Sequence, residues 1–216
     1  HLGLAMQCYL NDSDDDLDHL LAWSRDTGLP ISIRLVKGAY WDYEVVHARQ
    51  NGWDVPVYTV KQESDLAFER FSEKILRNHE LCHFAVASHN VRSVCAVIEM
   101  AKMLAVPKDR FEFQALYGMA EPFRNALLKM TDQVRLYCPH GQLLPGMAYL
   151  IRRLLENTAN ESFLRQTFVD GVEMDRLLED PAKVIERARV EAEASDPADA
   201  SSLSRFHNAA LADCSE

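Results

Sequence analysis

The sequence predicts an α/β fold of parallel strands joined by crossover helices, and three observations carry that expectation. Five units follow one another, each a short apolar or β-branched run, a polar hinge and a segment of helical periodicity. Of the 216 residues, 48% are hydrophobic and 26% charged, which is ordinary globular composition with material for one sizeable core. No stretch approaches the roughly 18 consecutive apolar residues of a membrane-spanning helix.

The apolar runs are Leu2–Leu10, Ile31–Val36, His83–Ala87, Phe111–Leu116 and Val134–Tyr137. The helical segments are Asp14–Asp26, Val45–Gln50 with Glu63–Arg77, Val91–Leu104, Pro122–Thr131 and Pro145–Asn157. Within Val91–Leu104 the residues Val91, Val94, Cys95, Ile98 and Ala101 mark one helix face. Strands alternating with helices imply a parallel sheet. A doubly wound sheet and a (β/α)8 TIM-type barrel both satisfy that pattern. Five units cannot close an eight-stranded barrel, which takes about 250 residues. On the barrel reading, the chain is the last five βα units and roughly three earlier units are missing. The start at His1, without initiator Met or leader, fits a chain that begins mid-protein.

After Asp180–Pro181 the character changes to an acidic helical stretch, Ala182–Ala194, and then a Ser/Asp/Ala-rich tail, Ser195–Glu216. The expected division is therefore 1–181 as the barrel segment and 182–216 as acidic helix with a linker or disordered end. A net charge of -10 argues against a nucleic-acid partner, which needs clustered Lys and Arg. Cys8, Cys82, Cys95, Cys138 and Cys214 are unpatterned and read as reduced thiols, with Cys82 and Cys95 in the core.

Several motifs fail on context. His79–His83 reads HELCH, but Asn78 is a helix terminator and the second histidine falls in the next strand, so the two cannot share a zinc ion. Asn11–Asp16 lacks the glycine and bidentate glutamate of a calcium loop and reads as a helix cap with an acidic first turn. The glycosylation patterns at Asn11 and Asn160 mean little without a secretory signal. No GxGxxG or Walker loop is present. No metal ligands are assigned.

In a barrel, function gathers where strands end. Gln7 stands on the first run, Arg34, Lys37 and Gly38 on the second, Ser88, His89 and Asn90 close the third, Gln114, Leu116 and Tyr117 the fourth, and Tyr137 the fifth. Asn90 can cap the following helix, either as a plain cap or as part of an anion site at its positive end. Gly38 permits close backbone approach and Lys37 supplies charge. Arg34 interrupts an apolar strand; it is either salt-bridged to a neighbouring strand or aimed at a ligand. On the last helix Arg152, Arg153 and Glu156 lie opposite the stripe Met147, Leu150, Ile151, Leu154 and Leu155. That face is either solvated surface or a carboxylate clamp, and periodicity does not choose.

The strings RLVKGAYWD at 34–42, SHN at 88–90, FEFQALYGM at 111–119, RLYCPHG at 135–141 and YLIRRLLENTANESF at 149–163 decide more. From about Leu2 to Pro181, in order and spacing, the chain resembles the second half of the proline dehydrogenase domain of bifunctional proline-utilisation flavoproteins. The resemblance implies a distorted (β/α)8 barrel with FAD at the strand C-termini. It implies that Arg34 bonds flavin N5, that Gln7 touches the pyrimidine end, and that Val36, Lys37, Gly38, Ala39, Trp41 and Gln114 continue the flavin site. Ser88, His89 and Asn90 would hold the ribityl, phosphate or adenosine part. Arg152 and Arg153 would bind the proline carboxylate, Glu156 would fix an arginine, and Leu116 and Tyr137 would pack on the pyrrolidine ring. The implied reaction oxidises L-proline to Δ1-pyrroline-5-carboxylate, with electrons passing to a membrane quinone. A bacterial parent would be cytoplasmic and peripheral to the inner membrane when reduced. Two other readings are a barrel lyase using Lys37 as amine nucleophile and a non-catalytic barrel segment serving as scaffold. A lysine and an aspartate that the family places near substrate on earlier strands lie outside the chain, so the isolated segment is expected to bind FAD unstably or not at all.

Overall fold

The computed structural model describes residues 3–118, 121–131, 133–158 and 174–194. Five strands, β1 (Gly3–Gln7), β2 (Ile31–Val36), β3 (Cys82–Val86), β4 (Phe111–Leu116) and β5 (Val134–Tyr137), form one parallel sheet in the order β1-β2-β3-β4-β5. That order answers what periodicity left open. A doubly wound sheet reverses direction at a switch point, whereas each strand here joins the same side of its predecessor, as barrel staves do.

The connecting helices are α1 (Ser13–Thr27), α2 (Trp41–Asn51), α3 (Lys61–Arg77), α4 (Val91–Met103), α5 (Glu121–Met130) and α6 (Leu143–Thr158), followed by α7 (Met174–Leu177) and α8 (Pro181–Ala194). Their starts follow local chemistry. Asn90 accepts a hydrogen bond from the Ser93 N–H at 3.0 Å, satisfying a donor that helix geometry orphans. Pro181 opens α8 and Pro122 is the second residue of α5, where a missing N–H costs nothing. Gly28 and Gly52 end α1 and α2 in the left-handed conformation.

Strand period two separates the faces. Ile31, Ile33 and Leu35 of β2 are buried against the helices, together with Phe84 and Val86 of β3 and Phe111 and Phe113 of β4. Phe68, Phe71, Ile75 and Leu76 of α3 complete this core and are essentially inaccessible. The other face carries Ser32, Arg34 and Val36, then Glu112, Gln114 and Leu116, then Arg135 and Tyr137, by the strand register.

Several bounds shift by a few residues from the pattern reading, and one helix face is rotated. Helix α2 starts at Trp41, four residues before Val45, because the Trp41 indole N–H reaches the Tyr58 carbonyl at 2.7 Å and anchors the first turn. Strand β3 runs one residue earlier than His83–Ala87. The buried face of α4 is Ser93, Val94, Val97, Ile98 and Ala101, rotated so that Cys95 is half-buried rather than in the core; the helix packs along α3. Cys82 is buried as expected, and burial pushes its thiol, like that of Cys8, up to about 12, which leaves both as inert thiols. The HELCH motif straddles the turn between α3 and β3.

Helix α8 lies along α3, and Arg92 of α4 ties the junction. Its guanidinium donates to both oxygens of Glu69 on α3, at 2.9 and 3.2 Å, and to the Leu178 carbonyl at 2.6 Å. The tail 195–216 and the Asn160 glycosylation pattern lie outside the described residues. Replacing Phe71 with alanine should cost about 3–5 kcal/mol, as truncation of an enclosed aromatic does. The urea midpoint of the intact protein measures it, and a loss under about 1 kcal/mol would place Phe71 outside a tight core.

Candidate active site

A chain of hydrogen bonds crosses the inner face of the sheet. The Arg34 Nε donates to Gln114 Oε1 at 2.7 Å, and Gln114 Nε2 donates to Glu112 Oε1 at 2.7 Å. Arg135 completes it with a bidentate pair, Nε to Oε1 and Nη2 to Oε2, both 2.8 Å. Strands β2 and β4 are roughly 10 Å apart, two strand spacings. Arg34 can reach over β3 because the residue between it and Glu112 in register is Ala85. Arg34 is thus hydrogen-bonded to a neutral amide rather than salt-bridged to a strand. Burial pushes the Glu112 carboxyl upward, but the bonds from Arg135 and Gln114 outweigh it and hold the group below the usual glutamate range.

Above this chain the strand ends meet α6. The Arg34 guanidinium stands 5.9 Å from the ring centre of Tyr137, whose ring lies 6.3 Å from that of Tyr149 on α6. Arg153 stacks over Tyr149 at 5.2 Å and Arg152 over Tyr40 at 4.7 Å, within the range of cation–π attraction. Both arginines are half-buried, while Met147, Leu150 and Ile151 are exposed. The face that periodicity could equally give to solvent is turned to the strand ends. The side chains of Leu154, Leu155 and Glu156 lie outside the described residues.

Ser88, His89 and Asn90 follow β3. The Ser88 hydroxyl accepts from the Asn90 N–H at 3.1 Å, and His89 Nε2 accepts from the Leu116 N–H at 3.1 Å. An imidazole nitrogen that accepts is unprotonated. Burial, and then the nearby Arg153 charge, lowers the His89 pKa and keeps the ring neutral. His89 therefore joins β3 to the end of β4 and packs edge-on against Phe123.

Lys37 goes the other way. As the residue after Val36 it points to the helix side, where its ammonium pairs with Asp65 of α3 over the Phe68 ring. Lys61 holds the second Asp65 oxygen at 2.9 Å. Burial lowers the Lys37 pKa and Asp65 offsets part of that. Its charge is spent on the fold, which corrects the expectation that it faces an anion and removes the geometry of the lyase reading. Gly38 is also explained within the chain: at φ 145 a side chain is strained, and a Cβ would overlap the Tyr9 ring. Ala39 is exposed beside it, Trp41 is held by Tyr58, and Gln7 and Val36 are half-buried register partners at the ends of β1 and β2. Leu116 and Tyr137 are paired at the ends of β4 and β5.

Tyr40 and Tyr149 were not singled out by sequence reasoning. Tyr40 is the residue before α2, inside a quoted string, and Tyr149 precedes the arginine pair by three and four residues; only helix spacing links it to Arg153. The Tyr149 hydroxyl is buried with no hydrogen-bond partner among the described residues. A buried polar atom without a partner, beside two arginines and an aromatic wall, suits a polar organic ligand with an anionic group.

The fold and site define a class: an arc of a (β/α)8-type barrel whose polar groups gather at the C-terminal ends of the strands. The proline dehydrogenase family model matches residues 1–166. The chain is 33% identical over 204 residues to the bifunctional protein PutA of Klebsiella aerogenes, covering 91% of this chain and 16% of that protein. It is 31% identical over 163 residues to proline dehydrogenase 2 of Bacillus subtilis strain 168, covering 76% and 47%. Among solved structures, PutA of Bdellovibrio bacteriovorus inactivated by N-propargylglycine superposes with a TM-score of 0.81 at 50% identity, over 84% of this chain and 19% of that one. The chain belongs to the proline dehydrogenase family, and it spans under half the length of these relatives.

His89 gives a pH test. Its folded pKa lies below the unfolded value of about 6.5, so between the two the unfolded chain binds more protons and stability rises with pH. The contribution is complete above the unfolded pKa and lost as pH falls through the folded one. His89→Gln, whose amide oxygen can accept from Leu116, should flatten the urea midpoint below pH ~6.5 relative to the parent. Identical slopes would show that His89 does not titrate this way.

Proposed function

We propose that the protein carrying this chain oxidises L-proline to Δ1-pyrroline-5-carboxylate with FAD as immediate electron acceptor and a membrane quinone as final one. One observation carries the reading: Arg34 on β2 and Arg152 and Arg153 on α6 converge on one aromatic-walled mouth in a chain of this family.

The residues fit a flavin and a small amino acid. Among the described residues Arg34 commits Nε to Gln114, which leaves its terminal nitrogens for the acceptor, and Gln7, Val36, Gly38, Ala39, Trp41 and the backbone of Lys37 line the same strand ends. Ser88, His89 and Asn90 at the N-terminus of α4 suit the phosphate part, where free N–H groups and the helix dipole favour an anion. When bound, FAD supplies the two-electron sink for the hydride lost from the ring carbon beside nitrogen. Arg152 and Arg153 hold the proline carboxylate. Tyr137 and Leu116 pack on the pyrrolidine ring and exclude water. The nitrogen must surrender a proton, so the neutral amine is the reactive form. Among the described residues, no helix is long and apolar enough to cross a membrane, and a cytoplasmic protein meeting its quinone at the membrane surface accords with the proposed acceptor.

In the full-length protein, flavin absorbance should copurify and proline should reduce an artificial electron acceptor. Arg152→Ala or Arg153→Ala should lower kcat/KM for proline by roughly a hundredfold, because truncating one partner of a hydrogen-bonded charge pair costs a few kcal/mol. Activity should also fall as pH drops. Absence of flavin, or a rate flat from acid to alkaline pH, would sink the reading.

A further inference from the structure

We propose that Glu112 is a positioning residue for Arg34, acting through Gln114, and that it thereby tunes how the protein holds its electron acceptor. This inference rests on the function proposed above.

Among the described residues, the hydrogen bonds of Glu112 go to Gln114 and Arg135 and not to Arg34, Arg152 or Arg153. Glu112 sits on the inner face of β4, its side chain only 8% exposed, and a carboxylate there needs a reason. Its oxygens receive three hydrogen bonds: Gln114 Nε2 and Arg135 Nε at Oε1, and Arg135 Nη2 at Oε2. Neutralising Arg135 is not by itself a sufficient reason, since the Arg135 side chain is 68% exposed and water could serve it.

The informative bond is the one to Gln114. An ionised carboxylate can only accept and a guanidinium can only donate, whereas an amide does one at each end. Placed between Glu112 and Arg34, the Gln114 amide has a single orientation that satisfies both neighbours: NH2 toward Glu112 and Oε1 toward Arg34 Nε. Glu112 thus anchors the amide from below, and the amide oxygen fixes the roll of the guanidinium plane. Without the anchor, Gln114 keeps its bond to Arg34 but can swing about its own side chain, and Arg34 swings with it. Tyr137, 5.9 Å from the guanidinium, bounds that plane on the other side. Ala85, on the strand between them, offers Arg34 no polar side chain to bond.

The test uses the full-length flavin-loaded enzyme and its apoprotein. Glu112→Ala should lower kcat about tenfold while KM for proline stays within about twofold, as loss of a supporting hydrogen-bond partner does when the substrate clamp is elsewhere. The same variant should weaken FAD binding to the apoprotein, read by flavin fluorescence quenching. Glu112→Gln, whose amide oxygen can still accept from Gln114, should recover most of both losses. Should Glu112→Ala fail to fold, Gln114→Leu, which leaves the Glu112–Arg135 pair intact, should show the same split between kcat and KM. Parental kcat and FAD affinity in Glu112→Ala or Gln114→Leu, alongside a defective Arg34→Ala, would overturn the inference alone. So would Glu112→Gln proving as impaired as Glu112→Ala. A silent Arg34→Ala would remove the functional reading and this inference together.

Discussion

A guanidinium in the middle of a sheet strand has to be hydrogen-bonded where it stands, because its desolvation is otherwise uncompensated. Arg34 meets that constraint through Gln114, which is bonded in turn to the Glu112–Arg135 pair. The result is one polar line across β2, β4 and β5 on a face whose reverse side is packed with phenylalanine, isoleucine and leucine. A sheet so divided can place charge at its strand ends without disturbing its core.

Strand period two distributes the functions of neighbours. Arg34 and Val36 face inward, while Lys37, one residue on, faces the helices and is fixed by Asp65. The two cations differ in kind as well as direction. Lys37 is a point charge locked in a mostly buried pair that binds α3 to β2, whereas Arg34 commits only its Nε to a hydrogen bond among the described residues. On α6 the stacking partners do similar work: the ring of Tyr40 lies against Arg152 and that of Tyr149 against Arg153, so each guanidinium plane rests on an aromatic face.

Much of this was legible in the residues. The five runs and their helices emerge from alternation and from i, i+3, i+4 spacing, and Asn90 announces its cap by type and position. Arg34 was conspicuous as a charge inside an apolar run. Less legible were contacts between residues far apart in sequence. Gln114 lies 80 positions from Arg34, and nothing local says that an amide on β4 receives a guanidinium from β2. Glu112 passed unnoticed because a single acid in a strand looks like an ordinary outward residue. Lys37 turns to the helix side because strand parity, rather than residue type, sets the face a side chain takes.

By itself the sequence determined the α/β class, the order of the units and the residue types at each strand end, since periodicity and turn chemistry act over a few residues. Tertiary structure decided the rest: the consecutive strand order, the inward turn of the α6 arginines, and the partner of every buried charge. Those depend on which surfaces meet across the sheet, and a linear string holds no local signal for that.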